Sequence, residues 1–301
     1  MGETTTTLAN YILTDYSREQ RVKTYFNGTP FMNFVGVRPP ERTGDSMDWI
    51  VESAGVTAVN YTEGATPPAS QNHTNAALTL SYVYTWAVAQ ITGHAVDALR
   101  GGNLIEVDKA MNDTVDAVNY KMEQNMVASF IAAIDDSTSY GGVTRATYNL
   151  ASVVVAGGTA ALTEAMLGSL YEGIKLRPKK VETNDLFLAS TFEQINAYTE
   201  IGGNQYDEKN FNWDSMSPTW DIGRIRPNIA YNGIPWFEFP TFTNTYVFMG
   251  RKGDLVIEEK RPLTFKMLGA IDDSDRVLVT RACQFKCRDP YRNGRIEALT
   301  T

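Results

Sequence analysis

Apolar and polar residues alternate along two stretches within residues 45–95, one at 47–51 and the other at 78–88. A period of two is that of a β-strand with one apolar face. The stretch between them, 62–72, is polar and contains glycine and proline, which is typical of a turn. We therefore predict a long β-hairpin. Because an isolated ribbon is unstable in water, its apolar face must be covered by this chain or by a neighbour. The large rings on that face are Trp49, Tyr82, Tyr84 and Trp86.

Between 103 and 133 the apolar positions step by three or four residues, and no glycine or proline interrupts them. This spacing predicts one amphipathic helix of ~45 Å that lies along a sheet. Asn103 is the expected N-cap residue. The opposite, polar face of the helix is expected to carry Asp113, Asp116, Asn119, Glu123 and Gln124.

The rest of the pattern is mixed and predicts an α+β body. Residues 1–44 form an arm with too few periodic apolar positions for a core of its own, so the arm must lie on something else. Further helices are predicted at 163–176, with Thr163 as N-cap, and at 191–199, whereas 202–245 is rich in loops. The predicted strands are 185–190, 246–249, 255–258, 264–267 and 276–286.

Composition narrows the function classes. The formal net charge of -8 argues against a chain whose main task is to grip nucleic acid. Charge is unevenly spread: 276–295 is strongly basic and 45–97 has no lysine or arginine, which suits contacts between copies, although both segments could also be ordinary solvated surfaces. Cys283 and Cys287 are expected to be buried, reduced thiols, because a zinc site needs more ligands.

No catalytic motif is present. His73 and His94 belong to no nucleophile or zinc-binding frame, and no glycine-rich phosphate loop occurs. The acidic clusters at 135–136 and 272–275 lack the spacing of a calcium loop and are interpreted as turns. No apolar run of about 18 residues and no secretory signal are found, so the chain is expected to stay in the cytosol.

One segment is unusually aromatic and bears several prolines. It could bind a sugar, pack at an interface between proteins, or form part of the local core. Its rings are Tyr206, Phe211, Trp213, Trp220, Tyr231, Trp236, Phe237, Phe239 and Phe242.

Three short motifs follow the predicted hairpin and helix in a recognisable order. They are Tyr140-Gly141-Gly142-Val143-Thr144-Arg145-Ala146, Tyr231-Asn232-Gly233-Ile234-Pro235 and Arg251-Lys252-Gly253-Asp254-Leu255. In this order the chain resembles the major capsid proteins of tailed bacteriophages, the Hong Kong 97 fold family. The resemblance implies an N-terminal arm at 1–44, an extended loop at 45–95, a peripheral domain with a spine helix at 96–150, an axial domain at 151–248 and closing peripheral strands at 249–301.

The resemblance further implies a structural protein without catalytic residues, cofactors or metals. Such a chain forms the pentamers and hexamers of an icosahedral head that encloses double-stranded DNA without sequence specificity, and it is assembled in the cytoplasm of the bacterial host. Partners would be a separate scaffolding protein, a portal protein and a decoration protein. The residues expected at contacts between copies are Arg21, Arg38, Trp49, Tyr61, Thr66, Pro67, Pro68, Tyr82, Tyr84 and Trp86.

Two departures and two alternatives accompany the resemblance. The chain begins almost at the arm, which implies a separate scaffold or prior removal of an extension. No lysine lies between Lys23 and Lys109, so the extended loop cannot donate one to a covalent cross-link. An encapsulin-like nanocompartment shell protein is the first alternative, and a soluble sugar-binding or hydrolytic protein that uses the aromatic segment is the second.

Overall fold

The computed structural model describes residues 28–41, 44–53, 60, 74–92, 105–177, 181–201, 229–271 and 274–300. Four helices and fourteen strands are described, with several strands in succession, which confirms the α+β prediction. The helices are α1 (Pro30–Val35), α2 (Ile105–Ala133), α3 (Glu164–Lys175) and α4 (Phe192–Ile201). The strands are β1 (Val37–Arg38), β2 (Ser46–Glu52), β3 (Asn75–Ser81), β4 (Val83–Thr92), β5 (Ser139–Tyr140), β6 (Val143–Thr144), β7 (Val153–Ala156), β8 (Leu186–Ser190), β9 (Ile229–Tyr231), β10 (Ile234–Glu238), β11 (Val247–Arg251), β12 (Leu255–Ile271), β13 (Ser274–Cys287) and β14 (Gly294–Glu297).

Two sheets organise these elements. One has four strands in the order β1-β12-β13-β4, and the other has six in the order β7-β14-β11-β8-β10-β9. Two short ribbons, β2–β3 and β5–β6, complete the described strands. Helix α2 packs on β4 and β13 of the four-stranded sheet, whereas α3 packs on β7 and β14 of the six-stranded sheet.

The long helix confirms the periodicity argument. Residues Val118, Met122, Met126 and Phe130, four apart, are buried along one stripe of α2. The predicted N-cap, Asn103, lies outside the described residues. One expectation is wrong: Glu123, assigned to the polar face, is fully buried at 0% exposure. The reason is that α1 packs against this side of α2 and covers the carboxylate.

Within the described residues, the return arm of the predicted hairpin does not pair with β2 along its whole length. Its return arm is interrupted at Tyr82, where β3 ends and β4 begins. Strand β4 then leaves the ribbon and pairs antiparallel with β13 over ten residues, from Val83 opposite Cys283 to Thr92 opposite Ser274. This arrangement pairs the backbone of β4 within a large sheet, which is more stable than a long, isolated two-stranded ribbon.

The two faces of the six-stranded sheet contribute to two cores. Leu186 and Leu188 point to one face, where they pack with the buried stripe of α3, and Phe187 and Ala189 point to the other. The core that contains Phe187 and Ala189 also contains Phe31 and Phe34 of α1, so the described part of the arm lies on the body. Within it, aromatic rings pack at centroid distances of 4.7–5.8 Å between Phe31, Phe34, Phe130, Phe187, Phe237, Phe239, Phe242, Phe248 and Phe285.

Three predicted elements of the second half are confirmed. Thr163 caps α3 by accepting a hydrogen bond from the Met166 amide, the strand β8 is buried along its whole length, and α4 follows it. The strands predicted at 255–258 and 264–267 are one strand, β12, with irregular pairing near Arg261. Such bulges bend a strand without ending it.

The apolar pattern did not predict the hairpin β9–β10, which lies in the segment 202–245 that was expected to be rich in loops. Its turn places Asn232 and Gly233 at φ 49° and 78°, the left-handed conformations that Asn-Gly favours in a tight hairpin. Strand β11 crosses the predicted boundary between residues 248 and 249, and β14, from the predicted closing strands at 249–301, pairs with β11 and β7 in the six-stranded sheet.

Candidate assembly surfaces

The apolar side of the ribbon β2–β3 lies on the core of its own chain. Met47, Val51 and Leu78 are buried there, and Trp49 is partly buried beside them. The sequence left open whether this chain or a neighbour covers that side. For the described strands it is this chain.

The other side of the ribbon faces solvent, and we call it the outer ribbon face, formed by Asp48, Ile50 and Glu52. All three are exposed, and Ile50 keeps 64% of its surface accessible. An exposed isoleucine between two carboxylates would cost little in water, but it is well suited to a partner that is apolar at its centre and basic at its edge.

The four rings of the predicted hairpin do not share one face. Tyr82 is buried at the start of β4, whereas Tyr84 and Trp86 are 50% and 67% exposed. The alternate residues, Thr85 and Ala89, are buried on the opposite face of the strand, on which α2 packs. Strand β4 therefore shows two large aromatic side chains to solvent.

Basic residues of β12 lie on the same sheet face as these rings, because cross-strand partners point to the same side. The guanidinium of Arg261 is 5.9 Å from the centre of the Tyr84 ring. Register also places Lys266, through Leu278, in one row with Val88. We call this surface the β4 face: exposed Tyr84, Trp86, Val88, Arg261 and Lys266.

The predicted contact residue Arg38 is engaged within the chain. Its Nη2 lies 2.6 Å from Glu41 and 3.4 Å from Glu258. The Tyr82 hydroxyl also donates to Glu258, at 3.3 Å, and burial together with the charge of Glu258 raises the pKa of Tyr82 to about 12. These two side chains and the packed Trp49 therefore stabilise the base of the ribbon.

The Tyr-Gly-Gly turn that carried the resemblance holds the ribbon directly. The amide of Thr79 donates to the Gly141 carbonyl at 3.0 Å, and the Tyr140 hydroxyl accepts from the Cys287 amide at 3.1 Å. Gly141 and Gly142 have φ of 54° and 82°, which favour glycine. A Cβ on Gly141 would lie 2.2 Å from Leu78 Cδ2.

We expect Gly141→Ala to destabilise the subunit by about 2–4 kcal/mol, because φ strain adds to a collision with the ribbon. Gly142→Ala is the matched control, since its Cβ meets nothing within 4 Å and only the strain of its φ remains. Urea unfolding of both variants measures the difference. Equal losses in the two would show that the close approach to Leu78 is unimportant.

The arginine of the same motif caps the long helix. Arg145 is 2% exposed and donates to the carbonyls of Ala132, Ala133 and Leu150 at 2.8–3.1 Å. Two of these carbonyls belong to the last turn of α2, whose final carbonyls have no partner within the helix. A guanidinium there also stabilises the negative end of the helix dipole. The motif thus joins the end of α2 to the ribbon.

Buried Glu123 anchors the arm to α2. Its carboxylate accepts from the amides of Phe31 and Met32, at 2.6 and 3.0 Å, which are the first free N–H groups of α1. Burial raises the pKa of Glu123 to about 7, although the two amides, Thr241 and Arg281 act in the opposite direction.

This shift predicts a pH-dependent stability. Between the ordinary pKa of 4.5 and the folded value of about 7, the folded chain keeps a proton on Glu123 that the unfolded chain has lost. The free energy of unfolding should therefore fall by about 3 kcal/mol as pH rises from 4.5 to 7. Urea unfolding at pH 5 and pH 8 measures it, and Glu123→Gln should flatten the slope. An identical slope in the variant would contradict the assignment.

Most of the basic residues in the segment 276–295 form ion pairs with acidic residues of the same chain. Lys286 pairs with Glu258, Arg288 with Glu41, Arg281 with Glu259, Arg292 with Asp254 and Arg295 with Asp135. The positive charge of the segment 276–295 is thus largely compensated by carboxylates of the same chain. The exposed basic residues of the β4 face come from β12 instead.

The five described members of the aromatic segment are core residues. They are Tyr231, Trp236, Phe237, Phe239 and Phe242, all buried. Cys283 and Cys287 are likewise buried and free, and burial raises the pKa of the Cys283 thiol to about 12. These observations favour the local-core interpretation and agree with two unreactive thiols.

Several predicted positions lie outside the described residues. These are Arg21, Tyr61, Thr66, Pro67 and Pro68 among the contacts, His73 and His94, and the aromatic residues Tyr206, Phe211, Trp213 and Trp220. In the described part of the chain, no three His, Cys, Asp or Glu side chains come close enough to hold a metal ion. No helix there combines the length and apolarity of a membrane crossing.

No family model matches the chain, and no curated protein matches it significantly. Solved structures do. The cyanophage A-1(L) capsid asymmetric unit has a TM-score of 0.69 at 14% identity, over 95% of this chain and 96% of that chain. The chain has the Hong Kong 97 capsid fold. The mature capsid of bacteriophage PhiM1 (TM-score 0.61, 13% identity, 95% and 92% covered) is also similar.

The Hong Kong 97 fold confirms what the order of the motifs predicted. It also includes the holo-SrpI encapsulin complex from Synechococcus elongatus, with a TM-score of 0.59 at 11% identity, over 97% of this chain and 95% of that chain. The coverage of more than 90% in both directions means that the similarity extends over nearly the full length of each chain. At these identities the likeness concerns the fold.

Proposed function

We propose that this chain is the major capsid protein of a tailed bacterial virus. Copies of it assemble into the pentamers and hexamers of an icosahedral head that encloses double-stranded DNA. One observation carries the proposal: a chain with the capsid fold exposes two unlike surfaces, the outer ribbon face and the β4 face, which complement each other in charge and polarity.

The proposed contact brings the outer ribbon face of one copy to the β4 face of the next. Ile50 would pack on Trp86, both more than 60% exposed in the single chain. Asp48 and Glu52 would approach Arg261 and Lys266, and opposite charges around an apolar centre give specificity and register. Because the two faces differ, the contact is head-to-tail, and repeated head-to-tail contacts form rings when the rotation from copy to copy closes, as a five-fold or six-fold rotation does.

The predicted contact residues outside the described strands extend this interface. We propose that Tyr61, Thr66, Pro67 and Pro68, at the tip of the extended loop, continue along the neighbouring copy. Arg21 would do the same from the arm. The domain division stays as predicted, except that β11 and β14 belong with the axial part, because β11 pairs with β8 and β14 pairs with β11 and β7.

The shell requires partners that act on its assembly and closure. We propose a separate scaffolding protein, a portal protein and a decoration protein, with the completed particle as the place of function and the host cytoplasm as the place of assembly. The role is structural and not enzymatic. DNA would be contained rather than read, in keeping with the net charge of -8.

The purified protein tests this directly. Size-exclusion chromatography with light scattering and negative-stain microscopy should show hollow particles of megadalton mass, built from the 33.4 kDa chain. A stable single-chain species over the whole range of concentration and salt, with or without its scaffolding protein, would contradict the proposal.

A nanocompartment shell is the second candidate, since an encapsulin shares the fold at a TM-score of 0.59. Particles isolated from their natural source distinguish the two. A viral head contains nuclease-protected DNA, whereas a nanocompartment contains a cargo protein. The sugar-binding alternative has no support among the described residues of the aromatic segment, which are Tyr231, Trp236, Phe237, Phe239 and Phe242 and are all buried.

A further inference from the structure

A buried lysine lies beneath the ribbon. Lys286 of β13 is 2% exposed, and its Nζ lies 3.2 Å from Glu258 of β12, which is equally buried. The same Nζ is 5.2 Å from the centre of the Trp49 ring on β2. The ammonium thus contacts both the four-stranded sheet and the ribbon.

Glu258, the acidic partner of Lys286, also contacts residues that precede and follow the ribbon in sequence. Glu258 accepts a hydrogen bond from the hydroxyl of Tyr82, the residue between β3 and β4. It also forms an ion pair with Arg38 of β1. Glu41, which follows β1, lies 3.5 Å from Lys286. The residues on either side of the ribbon are therefore tied to one pair of charges.

Stability does not explain such a pair. Removing two charges from water costs several kcal/mol each, and a buried ion pair replaced by apolar groups of similar size is often neutral or stabilising. The pair instead provides a directional interaction, which apolar packing lacks. The apolar contacts of Met47, Val51 and Leu78 are non-directional, whereas an ammonium held between a carboxylate and a ring fixes one position of that ring.

We infer that the Glu258–Lys286 pair positions the ribbon, setting the angle at which the extended loop leaves the body before assembly. The inference rests on the proposed function, because the angle matters only if the loop reaches another copy. A fixed angle makes every copy meet its neighbour in the same way, which a uniform shell requires. Glu258 and Lys286 are positioning residues and make no contact with the neighbour.

The test replaces the pair at nearly constant volume, with Glu258→Gln and Lys286→Met together. The matched control is Glu259→Gln with Arg281→Met. This second pair joins the same two strands at 2.7 Å and belongs to the alternate residues, which point away from the ribbon. Spin labels at Asn75→Cys, at the outer end of β3, and Glu172→Cys on α3 report the ribbon angle in unassembled subunits. Both positions are exposed, and the native thiols are buried.

We expect the Glu258/Lys286 variant to keep its Tm within about 3 °C of the wild type. Its spin-label distance distribution should broaden roughly twofold and its particles should vary in size. The control variant should retain a narrow distribution and uniform particles. A narrow distribution with uniform shells in the Glu258/Lys286 variant would overturn the inference.

A second variant covers the case in which the double replacement fails to fold. Trp49→Met keeps the ion pair and removes the ring that it holds, so the distance distribution should again broaden, and an unchanged distribution would overturn the inference. If the wild type forms no particles, the proposed function fails, while the spin-label measurement still decides this inference.

Discussion

Trp86→Ser is expected to leave the subunit folded and to abolish shell formation. The side chain is 67% exposed, so its loss should change the free energy of unfolding by less than about 0.5 kcal/mol. At the centre of an interface the same truncation costs about 2 kcal/mol or more for each contact. Since every copy makes the contact, the loss accumulates over the particle. Urea unfolding and electron microscopy measure the two effects separately.

Two companion variants sharpen this test. Trp86→Phe keeps an aromatic ring and should retain shells. Trp49→Ser should act through folding instead, with a loss of about 3–5 kcal/mol, because Trp49 packs on Tyr140 and Lys286 within the chain. Normal shells from Trp86→Ser would remove the β4 face from the interface.

Arg145→Met should lower the free energy of unfolding of the subunit by about 4 kcal/mol. It removes a buried cation that satisfies three carbonyls, and each hydrogen bond to a charged group contributes roughly 1.5–3 kcal/mol. Methionine fills part of the space, so the loss comes from unsatisfied carbonyls more than from a cavity. Urea unfolding of the unassembled subunit measures it.

Arg145→Lys is the control for charge alone. Lysine keeps the positive charge at the end of α2, but it has no planar fork with which to reach Ala132, Ala133 and Leu150 together. We expect it to recover less than half of the loss. A change below about 1 kcal/mol in Arg145→Met would mean that the motif does not hold the helix end.

Sequence periodicity predicted the elements that bury one continuous stripe. Helix α2 and helix α3 both begin within two residues of their predicted starts, because their apolar spacing and, for α3, the Thr163 cap are local signals. Glu123 escaped the prediction for a physical reason. A carboxylate on a helix is ordinarily solvated, and only the distant α1 amides of Phe31 and Met32 make its burial tolerable.

The hairpin region shows that alternation of apolar and polar residues does not predict which strands pair. Alternation continues from Leu80 through Tyr82 to Tyr84, so period alone cannot reveal that β3 pairs with β2 while β4 pairs with β13. The same limit separated Trp49 from Trp86, which the pattern placed on one face. The partner strand, far away in sequence, decides which side of each strand is covered.

The candidate site was half accessible to sequence. The Tyr-Gly-Gly motif was recognised without its role, whereas Tyr84 and Trp86 of β4 were expected at contacts between copies, which stays a prediction. Gly141 is explained only by the approach of Leu78, and Arg145 only by the end of α2. The ion pair of Glu258 and Lys286 left no local signal, since either residue on an exposed strand would look the same.

Disulfide trapping tests the central claim most directly. Asp48→Cys and Lys266→Cys in one chain place a thiol on each proposed face and leave Ile50 and Trp86 intact, and each single variant is the control. Under mild oxidation of the assembled protein, we expect a ladder of linked chains on a non-reducing gel that ends at closed rings of five and six. Unlinked chains alone, or dimers alone as a two-fold contact would give, would contradict a head-to-tail contact between these faces.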